Sequence, residues 1–224
     1  MPAPVPIPQS EAELLQRATA LAGHTLGAVA IHYGFGLPHT QRRQKGWVGV
    51  LLETLLGATA GNRPVPDFEH LGIEMKTLPT DEHGKPREST YVSTCPMNGT
   101  LASSWEDSRV RHKMARVLWI PIVGTGPLHE RLIGSPLLWS PSEAEEKVLR
   151  NDWETLTDII VRGEVWNLNA RHGEALQLRP KAANAKQLVW VHDEEGNPVQ
   201  TQPRGFYLRP RFTHGLLKKH FGLS

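Results

Sequence analysis

The chain has 224 residues, 39% of them apolar, seven tryptophans and a formal net charge of +2. That is enough material for a sizeable core, and the composition is that of a folded protein rather than a disordered one. A single cysteine, Cys95, excludes an internal disulfide framework and a cysteine-based zinc site. No apolar run approaches membrane-spanning length, so a soluble cytoplasmic protein in a reducing compartment is expected. The charge is too small to announce a nucleic-acid binder, but it is unevenly spread. Glu143 to Asp158 is acidic, whereas Gln202 to Ser224 has no acidic residue and carries Arg204, Arg209, Arg211, Lys218 and Lys219. One basic face and a solvated basic tail both fit this segregation.

In chain order, residues 1–9 place a proline at almost every second position and predict a flexible arm. Ser10-Glu11-Ala12-Glu13 has the form of a capping box that opens a helix closed by Gly23. Thr25 caps a second short helix that runs through Ile31. Lys45 to Gly57 predicts an amphipathic helix with Trp47, Val48, Leu51, Leu52 and Leu55 on its apolar face. Glu53 falls on the opposite side with Gly49 and Gly57 at helical spacing and Gly46 close by. Each helical glycine costs roughly 1 kcal/mol against alanine, so this stripe suggests that something approaches closely. An exposed glutamate on an amphipathic helix is the plainer reading.

From Gly72 the chain alternates, with Ile73, Met75 and Leu78 against Glu74 and Lys76, which predicts a strand with one buried face. Glu74 and Lys76 then share a face, and Asp67 can fold back to meet them. Two carboxylates with no softer donor suit a hard divalent cation such as Mg2+. A lysine beside them can assist an attacking water or stabilise charge growing on a phosphate. An edge strand with solvated charges has the same pattern. Asp81 to Pro86 reads as a hairpin turn with a return strand over Glu88 to Cys95. Val110-Arg111-His112-Lys113 leads into the apolar run Ala115 to Ile122, which suits a central strand covered on both faces. Lys113 stands at its entry, a candidate for the site or one more surface lysine.

Ser142-Glu143-Ala144-Glu145 predicts a second capping box. Its helix buries Leu149, Trp153, Leu156 and Ile160, stops at Gly163 and turns its acidic residues, Asp152 among them, to solvent. Glu174 to Arg179 alternates as a strand, and Arg179 to Lys186 follows as a basic loop with small spacers. Val189 to Gln200 reads as a hairpin, Pro203 to Arg209 interleaves aromatic residues with arginines, and Leu216 to Phe221 is a short basic helix. Neither a Gly-x-Ser-x-Gly turn nor a His-Glu-x-x-His pair occurs, so serine hydrolase and zinc-protease chemistry are not indicated.

Several of these segments occur together and in order in one family. Lys45 to Gly49, Asp67 with Glu74-Met75-Lys76, Val110 to Lys113, Gly134 to Pro141, Arg179 to Lys186 and Arg204 to Leu208 resemble the MutH family, bacterial mismatch-repair endonucleases of the PD-(D/E)xK superfamily. The resemblance implies an α/β (α+β) restriction-endonuclease-like core. On that resemblance a mixed β-sheet would be flanked by helices, with two lobes (10–100 and 101–224) of a single endonuclease domain around a DNA-binding cleft. It also implies Mg2+-dependent nicking, with Ca2+ or Mn2+ as possible substitutes, of the unmethylated strand 5′ of G in hemimethylated GATC. MutL would be the activator, MutS would act indirectly, and the protein would be a monomer.

By position, Glu53, Asp67 and Glu74 would be the metal-site acids, with Lys76 beside the attacking water and Lys113 a further catalytic lysine. Lys45, Arg179, Pro180, Lys181, Lys186, Arg204 and Tyr207 would contact DNA, Tyr207 sensing adenine methylation. A homodimeric GATC restriction enzyme and a catalytically silent DNA-binding module remain as alternatives at this stage.

Overall fold

A computed structural model describes residues 5–38, 46–61, 63–97, 101–169, 171–181 and 187–222. Lys45 and Lys186 lie outside the described residues, as does most of the loop between Lys181 and Lys186. The apolar run from Val117 forms a strand whose first six residues are all buried. A strand so completely buried must be paired on both edges. It pairs in parallel with Glu74–Thr80 on one side and antiparallel with Leu132–Ile133 and Leu137–Trp139 on the other. The expected mixed sheet is therefore present, with the run at its centre.

Parallel strands cannot be joined by a tight turn and need a long crossover. The crossover between these two carries the first part of a second structural unit. One unit comprises Met1–Arg87, Arg116–Ser140 and Leu217–Ser224, and the other Glu88–Ala115 and Pro141–Leu216. The units thus interleave along the chain and do not follow a division near residue 100.

In the first unit, α1 (Glu11–Leu21), α2 (Leu26–His32) and α3 (Trp47–Leu56) precede β1 (Glu74–Thr80), β3 (Val117–Val123), β4 (Leu132–Ile133) and β5 (Leu137–Trp139). Ser10 and Thr25 cap α1 and α2 as expected, accepting from the Glu13 and Ala28 amides. Glu13 reaches back to the Gln9 amide at 2.6 Å. α3 buries Leu51, Leu52, Leu55 and Leu56 in a core shared with Leu14, Ala18, Leu26, Met75, Leu118 and Ile120. The described part of the proline arm is docked rather than loose, because Pro8 is buried and its carbonyl is hydrogen-bonded by His70.

The second unit contains β2 (Thr90–Cys95), α4 (Arg109–Met114), α5 (Glu143–Val161), β6 (Leu176–Pro180), the hairpin β7 (Val189–His192) and β8 (Pro198–Thr201), and β9 (Arg204–Leu208). α6 (Pro210–Phe221) begins in it, six residues earlier than the basic patch suggests, with proline at its first position as helices prefer. Asp81 does form its turn, accepting from the His83 and Lys85 amides at 2.9 Å each. The return strand, however, is not β1's partner. β2 pairs antiparallel with β9, which also pairs with β6.

The capping box of α5 is complete, but Asp152 is not on the solvent side. It is 7% exposed and accepts hydrogen bonds from the Glu174, Ala175 and Leu176 amides at 2.8, 2.6 and 2.8 Å. These are the backbone donors of the bend that leads into β6 and of its first residue. Once buried they need an acceptor, and the Asp152 carboxylate supplies it.

Candidate active site and nucleic-acid interface

β1 begins at Glu74, and its first residues bring the acidic motif together. Asp67 precedes a single 3-10 turn, Glu69–Leu71, and the chain reverses at Gly72, which adopts φ +66°. The reversal is closed by paired backbone hydrogen bonds between Phe68 and Ile73. It lets the Asp67 carboxylate accept from the Met75 amide at 2.8 Å, one residue along from Glu74. Glu74 is 2% exposed, and Lys76 Nζ donates to its Oε1 at 2.5 Å. The alternation expected for β1 therefore holds for the Glu74–Lys76 face, but that face is enclosed rather than solvated. Burying a carboxylate and an ammonium costs several kcal/mol per ion before their attraction returns any of it. Packing alone would favour an apolar pair here, so the retained charges point to chemistry.

Glu53 lies half-buried on α3, the helix that packs against β1. A Cβ on Gly49 would stand 3.5 Å from Glu53 Oε1, so this glutamate and glycine do share a stripe. Among the described residues no three Asp, Glu, His or Cys side chains are grouped so as to hold a metal ion by themselves. Glu53 is thus not drawn into a ready-made cage with Asp67 and Glu74. Magnesium seldom uses such cages: it takes one or two carboxylates and keeps waters or substrate phosphate oxygens for the remaining positions. The hard oxygen donors of Asp67 and Glu74, adjoining at the head of one strand, fit that habit. Lys113 is half-buried near the end of α4, in the second unit, whereas Glu53, Asp67, Glu74 and Lys76 belong to the first.

The β2–β9–β6 sheet carries Arg179, Pro180, Arg204 and Tyr207 of the residues expected to meet DNA, and Lys181 follows β6 directly. Tyr91, Tyr207 and Gln177 are cross-strand partners and so share one face. Two residues along β6, Arg179 lies on that face with its guanidinium 5.8 Å from the Tyr207 ring centre. Lys181 Nζ sits 3.3 Å from the centre of the Tyr91 ring. The two tyrosine rings meet edge to face, 5.4 Å apart. Gly205 makes room for this: a Cβ there would be 3.1 Å from Tyr91 Cε2 and 3.4 Å from Lys181 Cδ. Burial raises the pKa of the Tyr207 hydroxyl, the neighbouring Tyr91 adds to the rise, and Arg179 opposes it. Tyr207 therefore stays protonated at neutral pH, able to donate or accept.

The opposite face is apolar, with Leu176, Phe206 and Leu208 buried. Arg204 and Pro180 alternate onto it, opposite each other in the ladder. Arg204 donates to the Val165 carbonyl at 3.4 Å, and burial lowers the pKa of its guanidinium. Neither residue joins Arg179, Lys181 and Tyr207, because alternation along a strand sends neighbours to opposite faces.

The sequence profile described as "DNA mismatch repair enzyme MutH" matches residues 56–152. Proteins called DNA mismatch repair protein MutH from Yersinia enterocolitica and Salmonella typhi are 53% and 54% identical to the chain. The alignments cover 98% and 97% of it and 96% and 95% of those proteins. The relative from Pectobacterium atrosepticum is 54% identical over 96% of the chain and 94% of its own length. The chain belongs to the MutH family. Membership in the MutH family makes it a mismatch-repair enzyme with an α/β fold. Among the described residues no helix is long and apolar enough to cross a membrane.

Tyr91 joins this face without any motif in the sequence that marks it. Its only local signal, high strand propensity, is shared with every aromatic residue. Its place beside Lys181 and Tyr207 depends on pairing with a strand far along the chain.

Proposed function

We propose that the chain is a Mg2+-dependent endodeoxyribonuclease of methyl-directed mismatch repair. It nicks the unmethylated strand 5′ of G in hemimethylated GATC, as a monomer, and is activated by MutL once MutS has engaged a mismatch. The observation that carries this reading is the enclosed constellation at the head of β1, with Asp67 fixed on the Met75 amide and Lys76 fixed on Glu74.

Asp67 and Glu74, with Glu53 as a supporting acid, would hold the cation, which would supply Lewis acidity toward a phosphate oxygen and a water. The protein's own part is positioning and charge. The Met75 amide fixes the Asp67 carboxylate before substrate arrives, so no rotor has to be frozen during the reaction. Lys76 Nζ, anchored on Glu74 Oε1, holds a positive charge beside the site where charge grows on the phosphate. One acidic centre per chain hydrolyses one phosphodiester, which gives a nick. For recognition, adenine presents N6-H2 and N7 in the major groove, and an N6-methyl group removes one donor hydrogen and adds bulk. Tyr207, flanked by Arg179 and by Tyr91 with Lys181 on its ring, is suited to register that change.

Replacing Glu74 with alanine tests the reading. Mg2+-dependent nicking of a hemimethylated GATC duplex should vanish while binding to that duplex persists, and unchanged cutting would remove the proposed centre. A gel resolving nicks from double-strand breaks separates a monomeric nickase from a paired enzyme.

A further inference from the structure

The glycine stripe on α3 has an explanation at one of its positions, and it comes from the chain itself. Gly57 closes α3 in the left-handed conformation, φ +80°, and a Cβ there would stand 2.6 Å from the Pro6 carbonyl oxygen and 3.2 Å from Pro8 Cδ. Arg17 of α1 donates to that same Pro6 oxygen. Two residues on, the Pro8 carbonyl is hydrogen-bonded by His70 Nε2, and the Gln9 amide donates to Glu13 at 2.6 Å. The segment before α1 is therefore stitched to α1, to the C-terminus of α3 and to the 3-10 turn after Asp67.

Two of those attachment points flank candidate acids. The Gly57 and Ala58 amides both return to the Glu53 carbonyl. His70 follows Asp67 by three residues, and the Asp67 carbonyl accepts from the Thr59 amide at 3.0 Å. One short piece of chain thus bridges the end of the helix that carries Glu53 and the turn that carries Asp67. Its composition suits the task. Proline fixes φ near −65°, so Pro6 and Pro8 have little backbone freedom to lose on docking. They still offer the carbonyl oxygens that Arg17 and His70 use.

We propose that residues 5–9 form a positioning strap that holds the Glu53 and Asp67 elements in register, and so governs turnover rather than DNA affinity. The effect on turnover rests on the nuclease reading above; the strap itself does not. His70 is a positioning residue in this scheme, since it acts on Asp67 through the turn and touches no substrate.

The experiment compares the full chain with a variant lacking residues 1–9, and with His70→Ala, His70→Gln and Gly57→Ala. The probes are amide hydrogen exchange and steady-state nicking of a hemimethylated GATC duplex with Mg2+. Without the strap, exchange at Ala58, Thr59 and Ala60 should quicken while Ala175 and Leu176 keep their protection. kcat should fall by about ten-fold, short of the roughly hundred-fold that a 1 Å misplacement costs, with KM for DNA unchanged. His70→Gln keeps an N–H donor and should recover most of what His70→Ala loses. Gly57→Ala both crowds the Pro6 carbonyl and strains the left-handed residue that closes α3, so only the part due to crowding should disappear when it is combined with the deletion.

Unchanged exchange at Ala58 to Ala60 in the deletion variant overturns the strap. A loss confined to KM overturns it too, because the segment would then be a DNA contact. If the truncated chain unfolds, the two His70 variants carry the same test, His70→Ala quickening exchange at Ala58 to Ala60 and His70→Gln restoring it. If the intact protein does not nick while the deletion still quickens exchange at those amides, the nuclease reading fails and the strap stands.

Discussion

Asp152→Ala should be among the most damaging single substitutions outside the candidate site. The carboxylate accepts three backbone hydrogen bonds at 2.6–2.8 Å, and two of the donors belong to Ala175 and Leu176, both 0% exposed. Hydrogen bonds to a charged group contribute about 1.5–3 kcal/mol each, and stranding a buried donor incurs its desolvation cost. The three share one acceptor and are not additive, so the expected loss is about 4 kcal/mol, within the ~3–5 typical of breaking a buried charged contact. Asp152→Asn keeps one carbonyl oxygen, which can still serve the Ala175 and Leu176 amides. It should lose about 2 kcal/mol, one charge-assisted bond. Urea unfolding followed by circular dichroism measures both, with hydrogen exchange at residues 174–176 reporting the local effect. A loss below about 1 kcal/mol for Asp152→Ala would refute the idea that this side chain organises the entry to β6.

Tyr207→Phe preserves ring packing against Tyr91 but removes the hydroxyl; it should shrink the preference for unmethylated over fully methylated GATC by about ten-fold, in line with ~1–3 kcal/mol for a base contact, as read from paired nicking rates. Cys95 is buried, and burial pushes its thiol pKa up to about 12, so a thiol reagent at pH 8 should label the unfolded chain and spare the native one. Because the folded pKa lies above the unfolded value, native protein binds more protons above about pH 9, and this thiol makes stability fall as pH rises from there. Glu146 titrates in the opposite sense. Hydrogen bonds from Arg111 and then Trp105 lower its pKa, so its contribution is present above about pH 4.5 and is lost on acidification; Glu146→Gln should flatten the acid limb of a urea-midpoint profile against pH.

Much of the site could be read in the sequence because its parts are local. The alternation from Gly72 locates β1, the unbroken apolar run locates β3, and Ser142 with Glu145 announces α5. Asp67, Glu74 and Lys76 lie within ten residues of one another, close enough for strand geometry and one tight reversal to bring them together. What escaped was set by distant chain. Asp152 looks like one more surface acid until the bend at residues 174–176 supplies its three amides. β2 follows a well-formed turn yet leaves β1 for β9, a choice that turn chemistry cannot encode. Arg204 and Tyr207 sit in the same short segment, and only the burial of Phe206 and Leu208 decides which of them turns inward. The glycines of α3 suggested an approaching partner, and at Gly57 that partner is the protein's own proline segment.

The interleaving of the two units has a consequence for synthesis. Every strand of the sheet built around β3 has been made once Trp139 has emerged, whereas β2 and β6 have no ladder partner until β9, at Arg204–Leu208, has been translated. A ribosome that stalls before that point would release a chain carrying Glu53, Asp67 and Glu74 and every strand of that sheet, but without the paired strands that set Tyr207 beside Arg179; on the proposed function such a fragment has acids and no reader.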